Sequence, residues 1–196
     1  MSEPRRDLWL IRHGETEWSA AKRHTGRTDI PLTPIGERQA AALGQALATR
    51  RFASVLCSPL RRARETCRLA GFGDVASLSE DLLEWDYGIY EGKTTQEMRE
   101  KQPDWSIWTT PVPQGETIEQ VSRRAQRVIQ RASTIDGPVA IFAHAHILRI
   151  LTACWLALPA EAGRLFLLNT ASVSVLGYER ETRIISRWNL SHEVQP

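Results

Sequence analysis

Short unbroken apolar runs alternate along this chain with longer stretches in which apolar residues return at helical spacing, a pattern that predicts an α/β fold. Leu8-Trp9-Leu10-Ile11, Ser54-Val55-Leu56-Cys57 and Val139-Ala140-Ile141-Phe142-Ala143 read as buried strands. Between the first two, Ala40, Leu43 and Leu47 mark a helix from Pro34 to about Arg50, opened by Thr33-Pro34. Ser58-Pro59 is expected to cap a second helix carrying Arg61, Arg62, Arg64 and Arg68. A further helix runs from about Glu116 to Ser133, and an apolar one from Ile147 to Leu158, stopped by Pro159. Ala171 to Tyr178 and Arg183 to Trp188 are expected to pair across a turn near Arg180. From Asp86 to Glu116 the alternation lapses into chain rich in Gly, Pro and Trp, with one short helix from about Thr94 to Lys101. That stretch predicts an excursion over the sheet, placed as a lid would be. No internal repeat, low-complexity tract or linker breaks the pattern, so residues 1–196 are expected to form one domain.

Composition narrows the function classes. A chain of 196 residues with 42% hydrophobic content can bury a sizeable core. A formal net charge of +2 without any block of like charges gives no electrostatic footprint for nucleic acid, so an anion preference must come from locally placed groups. Cys57, Cys67 and Cys154 are odd in number and lack paired spacing, which argues against a disulfide framework or a zinc knuckle and fits a reducing cytoplasm. The charged stretch Met1 to Asp7 precedes only four apolar residues, too few for a signal-peptide core or a membrane span. The expected partner is a small molecule, with neither nucleic acid nor membrane, and a homodimer is left open.

The chemistry sits at strand ends. Arg12-His13-Gly14-Glu15-Thr16 follows the first apolar run and His144-Ala145-His146 follows the Val139–Ala143 run. In open α/β folds ligands bind beyond the carboxyl ends of the strands, and an imidazole, a guanidinium and backbone N–H groups together suit a phosphate. Taken alone, a strand-end histidine is more often a packed side chain, and His13 is expected to be exposed. The His144-x-His146 pair has ligand-like spacing, but no carboxylate or cysteine cluster accompanies it, so no metal or other cofactor is expected. A cysteine-nucleophile phosphate loop at Cys57 would need an arginine where Ala63 stands. Asp7 or Asp29 as an aspartyl nucleophile would need magnesium carboxylates that cannot be located.

Four ordered stretches carry a resemblance: Arg12 to Thr16, Ser58-Pro-Leu-Arg-Arg-Ala-Arg-Glu-Thr66, Glu84-Trp-Asp-Tyr-Gly-Ile-Tyr-Glu-Gly92, and Phe142-Ala-His-Ala-His146. Together they resemble the histidine phosphatase, or phosphoglycerate mutase-like, superfamily across nearly the whole chain. The resemblance implies a three-layer sandwich with a mostly parallel central sheet and a small lid. It also implies a metal-independent phosphatase in which His13 is the nucleophile, Arg12, Arg62 and His144 grip the phosphoryl oxygens, and Glu84 is the acid/base. Ser19, Thr25 and Gly26 match positions that contact substrate or phosphate. Phosphoglycerate mutases of the family carry a pair of adjacent arginines in the lid, where this chain has Lys93, Arg99 and Lys101, and an asparagine in place of Ser19. Both departures favour net hydrolysis. Within the superfamily, Trp18-Ser19, the Thr28 to Pro34 loop, Glu84 to Gly88 and Phe142 to Arg149 are most similar to the fungal sedoheptulose-1,7-bisphosphatases, although Ala145 stands where those have glycine. That likeness implies a sugar phosphate bordered by Tyr87, His146 and Arg149. Trp105 and Trp108 would either stack on the sugar or anchor the lid. A second phosphate would need a cationic patch, with Lys93, Arg99 and Arg149 as its candidates. The alternatives are a broad acid-type phosphatase and a non-catalytic phosphate-binding signalling module.

Overall fold

The computed structural model describes residues 7–191, so the N-terminal reading over 1–6 lies outside the described residues. Six strands form one sheet in the order β3-β2-β4-β1-β5-β6. Strands β1 (Leu8–Arg12), β2 (Ser54–Cys57), β3 (Ala76–Leu78) and β4 (Val139–Ala143) run parallel; β5 (Ser172–Glu179) and β6 (Thr182–Ser191) complete the sheet antiparallel. Every residue of β4 is buried, as expected for the middle of a sheet covered on both faces.

Successive side chains of a strand point to opposite faces, so β1 serves two cores at once. Leu8 and Leu10 pack with the layer of α5 (Ile118–Ser133) and α6 (Ala145–Trp155), while Ile11 packs with that of α2 (Pro34–Leu47) and α3 (Arg61–Leu69). Truncating a fully buried side chain such as Leu10 to alanine would cost about 2–5 kcal/mol. The three layers are helices, sheet and helices, with short α1 (Glu17–Ala20) and α4 (Thr95–Arg99) lying in loops.

Several element ends differ from the sequence expectation for identifiable reasons. Helix α3 starts at Arg61, and Ser58 does not cap it; the carboxylate of Asp29 accepts from the Arg61 N–H at 2.7 Å instead. Helix α6 begins at Ala145, directly after β4, and ends at Trp155; Ala157 adopts a φ of 56°, a left-handed turn that stops it before Pro159. Helix α5 starts at Ile118 because Thr117 and Gln120 form a reciprocal capping box. Helix α2 ends at Leu47, before Arg50. Strand β3 and helix α1 were not foreseen. No described helix is long and apolar enough to cross a membrane.

Candidate active site

The parallel register pairs Arg12 with Ala143, so the residues that follow, His13 and His144, leave the sheet side by side. Their ring centroids are 5.2 Å apart. His13 is not an exposed strand-end ring: it is 5% exposed, covered by the loops beyond the sheet. Its Nδ1 lies 2.7 Å from the Gly14 carbonyl, which can only accept, so Nδ1 carries the proton and Nε2 keeps its lone pair. Burial, with Arg62 and Arg12 nearby, holds this imidazole well below its ordinary pKa, so it is neutral at neutral pH. The Gly14 N–H donates to Thr66 Oγ1 on α3 at 2.9 Å. A Cβ on Gly14 would run into the Gly36 carbonyl at the start of α2, which is why glycine follows the histidine.

Arg12 donates through Nη1 to the Leu168 carbonyl at 2.6 Å, while its buried Nε has no partner among the described residues. Burial brings its pKa down to about 10, still cationic at neutral pH. Arg62 and His144 are fully buried and are not among the residues that line the cavity. The Arg62 Nε–H donates to His144 Nδ1 at 3.1 Å; its Nη groups donate to the carbonyls of Thr25, Gly26 and Thr28. Counting its five N–H groups, one on Nη1 is left. With Nδ1 accepting, neutral His144 carries its proton on Nε2 and donates it to Ser58 Oγ at 2.7 Å. Burial, Arg62 and the neighbouring His13 hold His144 well below its ordinary pKa.

Glu84 is 3% exposed and sits at the N-terminus of α6. Its Oε1 accepts from the backbone N–H groups of Trp85 at 2.9 Å and Ile147 at 3.0 Å, and its Oε2 from that of His146 at 3.0 Å. The α6 N-cap residue, His144, offers no side-chain cap, so this carboxylate from a distant segment satisfies two of the orphan donors, those of His146 and Ile147. Arg124 braces the segment from below, paired with both oxygens of Glu116 at 2.8 Å and donating to the carbonyls of Asp81 and Leu83. Although burial pushes the Glu116 carboxyl up, Arg124, the Asp86 N–H and Arg27 bring it below its ordinary value.

Arg12, His13 and Glu84 line a cavity of about 440 Å³ together with Ser19, Thr25, Tyr87, His146 and Arg149. Gly26 is not part of that lining; its N–H donates to Glu91 Oε1 at 2.8 Å. Ser19 is engaged in a capping box with Thr16. Arg149 is largely committed, donating to the carbonyls of Gly163 and Arg164 with its guanidinium 4.6 Å above the Trp108 ring. Trp105 and Trp108, both buried, form an aromatic wall with Ile107. Of the candidates for a second anion site, Arg99 and Arg149 reach the cavity and Lys93 does not, while Lys22 and Arg23, unforeseen, do.

The 86–116 excursion is tied down at both flanks. Arg23 Nη1 donates to the Gly92 carbonyl at 2.7 Å, the Gly92 N–H donates to the His24 carbonyl at 2.8 Å, and Glu116 holds Arg124. Sequence reasoning missed His24, which lines the cavity; the only local signal was its place directly before Thr25-Gly26.

Comparison with known proteins agrees with this architecture. The model of the histidine phosphatase superfamily (branch 1) matches residues 8–191. An acid phosphatase of Mycobacterium tuberculosis is 40% identical over 193 residues, covering 96% of this chain and 95% of that protein. A sedoheptulose 1,7-bisphosphatase of Saccharomyces cerevisiae is 34% identical over 184 residues, covering 78% of this chain and 68% of that protein. The solved structure of a Mycobacterium tuberculosis open reading frame superposes with a TM-score of 0.91 at 39% identity, covering 95% of this chain and 98% of that one. With a match over the whole described sheet and phosphatases among its relatives, the chain belongs to the histidine phosphatase superfamily and is a phosphoric monoester hydrolase.

Proposed function

We propose that the protein hydrolyses a small phosphorylated metabolite, a sugar phosphate or bisphosphate, without a metal and through a phosphohistidine on His13. One observation carries this reading: the Gly14 carbonyl fixes the His13 tautomer, leaving a bare Nε2 in a cavity that Glu84 and Arg12 also line. In the first step the Nε2 lone pair forms a bond to phosphorus and the P–O bond to the alcohol breaks. The departing alkoxide takes a proton from the Glu84 carboxyl; Oε2, which receives a single N–H, is the oxygen with room to hold it. In the second step Glu84 removes a proton from water, the water oxygen bonds to phosphorus, and the P–Nε2 bond breaks to release phosphate and restore both groups.

Phosphoryl transfer asks mainly for positioning and for positive charge around the equatorial oxygens. Arg12, with its unpartnered Nε, and the remaining Nη1 N–H of Arg62 supply that charge. Arg62 also orients His144 and the Thr25–Thr28 backbone around the phosphoryl site. Ser19, Thr25, Gly26, Tyr87, His146 and Arg149 are assigned to substrate binding, Gly26 through its loop rather than through its own N–H.

A second reading, a broad acid-type phosphatase, is favoured by the acid phosphatase relative and by imidazoles whose pKa burial lowers. Phosphate release from a panel of sugar mono- and bisphosphates and aryl phosphates, measured with chelator present, separates the two. A strong preference for one sugar phosphate is expected; uniform rates across the panel would favour the second reading, and loss of activity with chelator would overturn metal independence.

A further inference from the structure

The lining of the cavity holds an imidazole that the reaction leaves without a role. His24 is 9% exposed and lines the cavity. Its Nδ1 lies 2.8 Å from the Lys93 carbonyl, so that nitrogen must be the donor. Burial keeps the ring neutral against the pull of the Lys93 carbonyl, Glu84 and Glu91, so Nε2 is a bare acceptor. It has no hydrogen-bond partner among the described residues. The ring cannot turn away easily: Tyr87 and Trp105 pack edge-on against it at 5.1 Å and 5.3 Å, and its own N–H and carbonyl bind Lys93 and Gly92.

His146 lies nearly parallel to it, 6.3 Å away at an interplanar angle of 21°. Its Nδ1 is 2.7 Å from the Tyr87 hydroxyl, which has no other acceptor among the described residues. With Tyr87 as the donor, the His146 proton sits on Nε2, although Glu84 Oε2 lies 4.0 Å from His146 Nδ1. One wall of the cavity thus carries a fixed acceptor, His24 Nε2, beside the donor that His146 Nε2 becomes when Tyr87 donates to it. A bare imidazole nitrogen cannot pair with a phosphate or carboxylate oxygen and is left unpaired by an apolar leaving group; an alcohol O–H satisfies it.

We propose that His24 is a specificity-determining residue: its Nε2 accepts from a hydroxyl of the leaving alcohol while His146 Nε2–H donates to a neighbouring oxygen, selecting phosphate monoesters of polyols over those of simple alkyl alcohols and phenols. The inference rests on the reading of this cavity as the site of phosphate ester hydrolysis and adds the leaving-group class.

The test compares kcat/KM for sorbitol 6-phosphate, butyl phosphate and phenyl phosphate in the unsubstituted protein and in three variants. His24→Asn can keep the bond to the Lys93 carbonyl but has no acceptor at the Nε2 position; His24→Phe keeps the ring packing alone; His24→Gln returns an acceptor near Nε2. The ratio of sorbitol to butyl ester is expected to fall about tenfold or more in His24→Asn and His24→Phe, chiefly through KM, and to recover in part in His24→Gln. An unchanged ratio in His24→Asn, or an equal fall in His24→Gln, would overturn the inference and leave the hydrolytic reading standing. Failure of the unsubstituted protein to release phosphate from any of the three esters would instead overturn the reading of the cavity and this inference together.

Discussion

The floor of the cavity and its wall are built by different means. On the floor, the proton positions of His13 and His144 follow from a backbone carbonyl and from Arg62, three of whose other four N–H groups go to backbone carbonyls. These groups stand where parallel strands end, so their spacing follows from the sheet register. On the wall, His24 and His146 owe their polarity to a long-range loop contact and to a tyrosine hydroxyl, inside a cluster of rings. On the proposed reading the difference separates chemistry from selection: the floor would act on phosphorus whatever alcohol is attached, and the wall would read the alcohol.

The largest effect expected is on the floor. His13→Asn, whose amide can keep the contact to the Gly14 carbonyl, should lower turnover about a thousandfold or more on every ester while unfolding remains cooperative by thermal melt. Retained turnover would show that the floor does not supply the nucleophile. Next, Glu84→Gln should slow alkyl phosphates by about 10² to 10⁴ and aryl phosphates much less in the first step, since a phenolate leaves without a proton. Equal losses on single-turnover release of both alcohols would remove Glu84 from its role as acid.

A third prediction joins floor and wall. Burial above all lowers the pKa of His13, His24, His144 and His146 below the ordinary value. Below about pH 6.5 the unfolded chain takes up protons on these rings that the folded chain refuses, so their effect on stability is nil above that pH and unfavourable as pH falls towards the lowered folded values. Each ring adds a slope approaching about 1.4 kcal/mol per pH unit in that window. Denaturant melts between pH 7 and 5 measure it, and stability that rises on acidification would contradict the neutral assignments. The smallest effect belongs to Ser58→Ala, which leaves the His144 Nε2–H unpaired at a cost of about 1–3 kcal/mol in stability. If it also frees that proton for the phosphoryl group, KM for phosphate esters should fall, whereas a rise would place Ser58 itself among the ligand contacts.

What could be read beforehand tracks the same division. The strand-end histidines were legible because each directly follows an apolar run, and the arginine-bearing helix because it follows one closely. Their adjacency was not, since it depends on the pairing of Arg12 with Ala143 across more than half the chain. Helix starts failed where the cap comes from elsewhere: Asp29 serves α3 and Glu84 serves α6, so Ser58-Pro59 looked like a cap while its hydroxyl belongs to His144. The short edge strand β3, Ala76–Leu78, carries too little pattern to stand out. His24 acquires its meaning only from Lys93, brought to it by the loop, which no local spacing announces.

The central claim is a covalent bond between phosphorus and Nε2 of His13, and rapid-quench labelling of the Glu84→Gln protein with a ³²P-labelled aryl phosphate tests it most directly. Removing the base should slow release from the intermediate more than its formation, so close to one label per chain is expected, acid-labile, stable in alkali, and mapped to Nε2 of His13. A stoichiometric burst of phenol with no label on the protein, or label on any other residue, would contradict it.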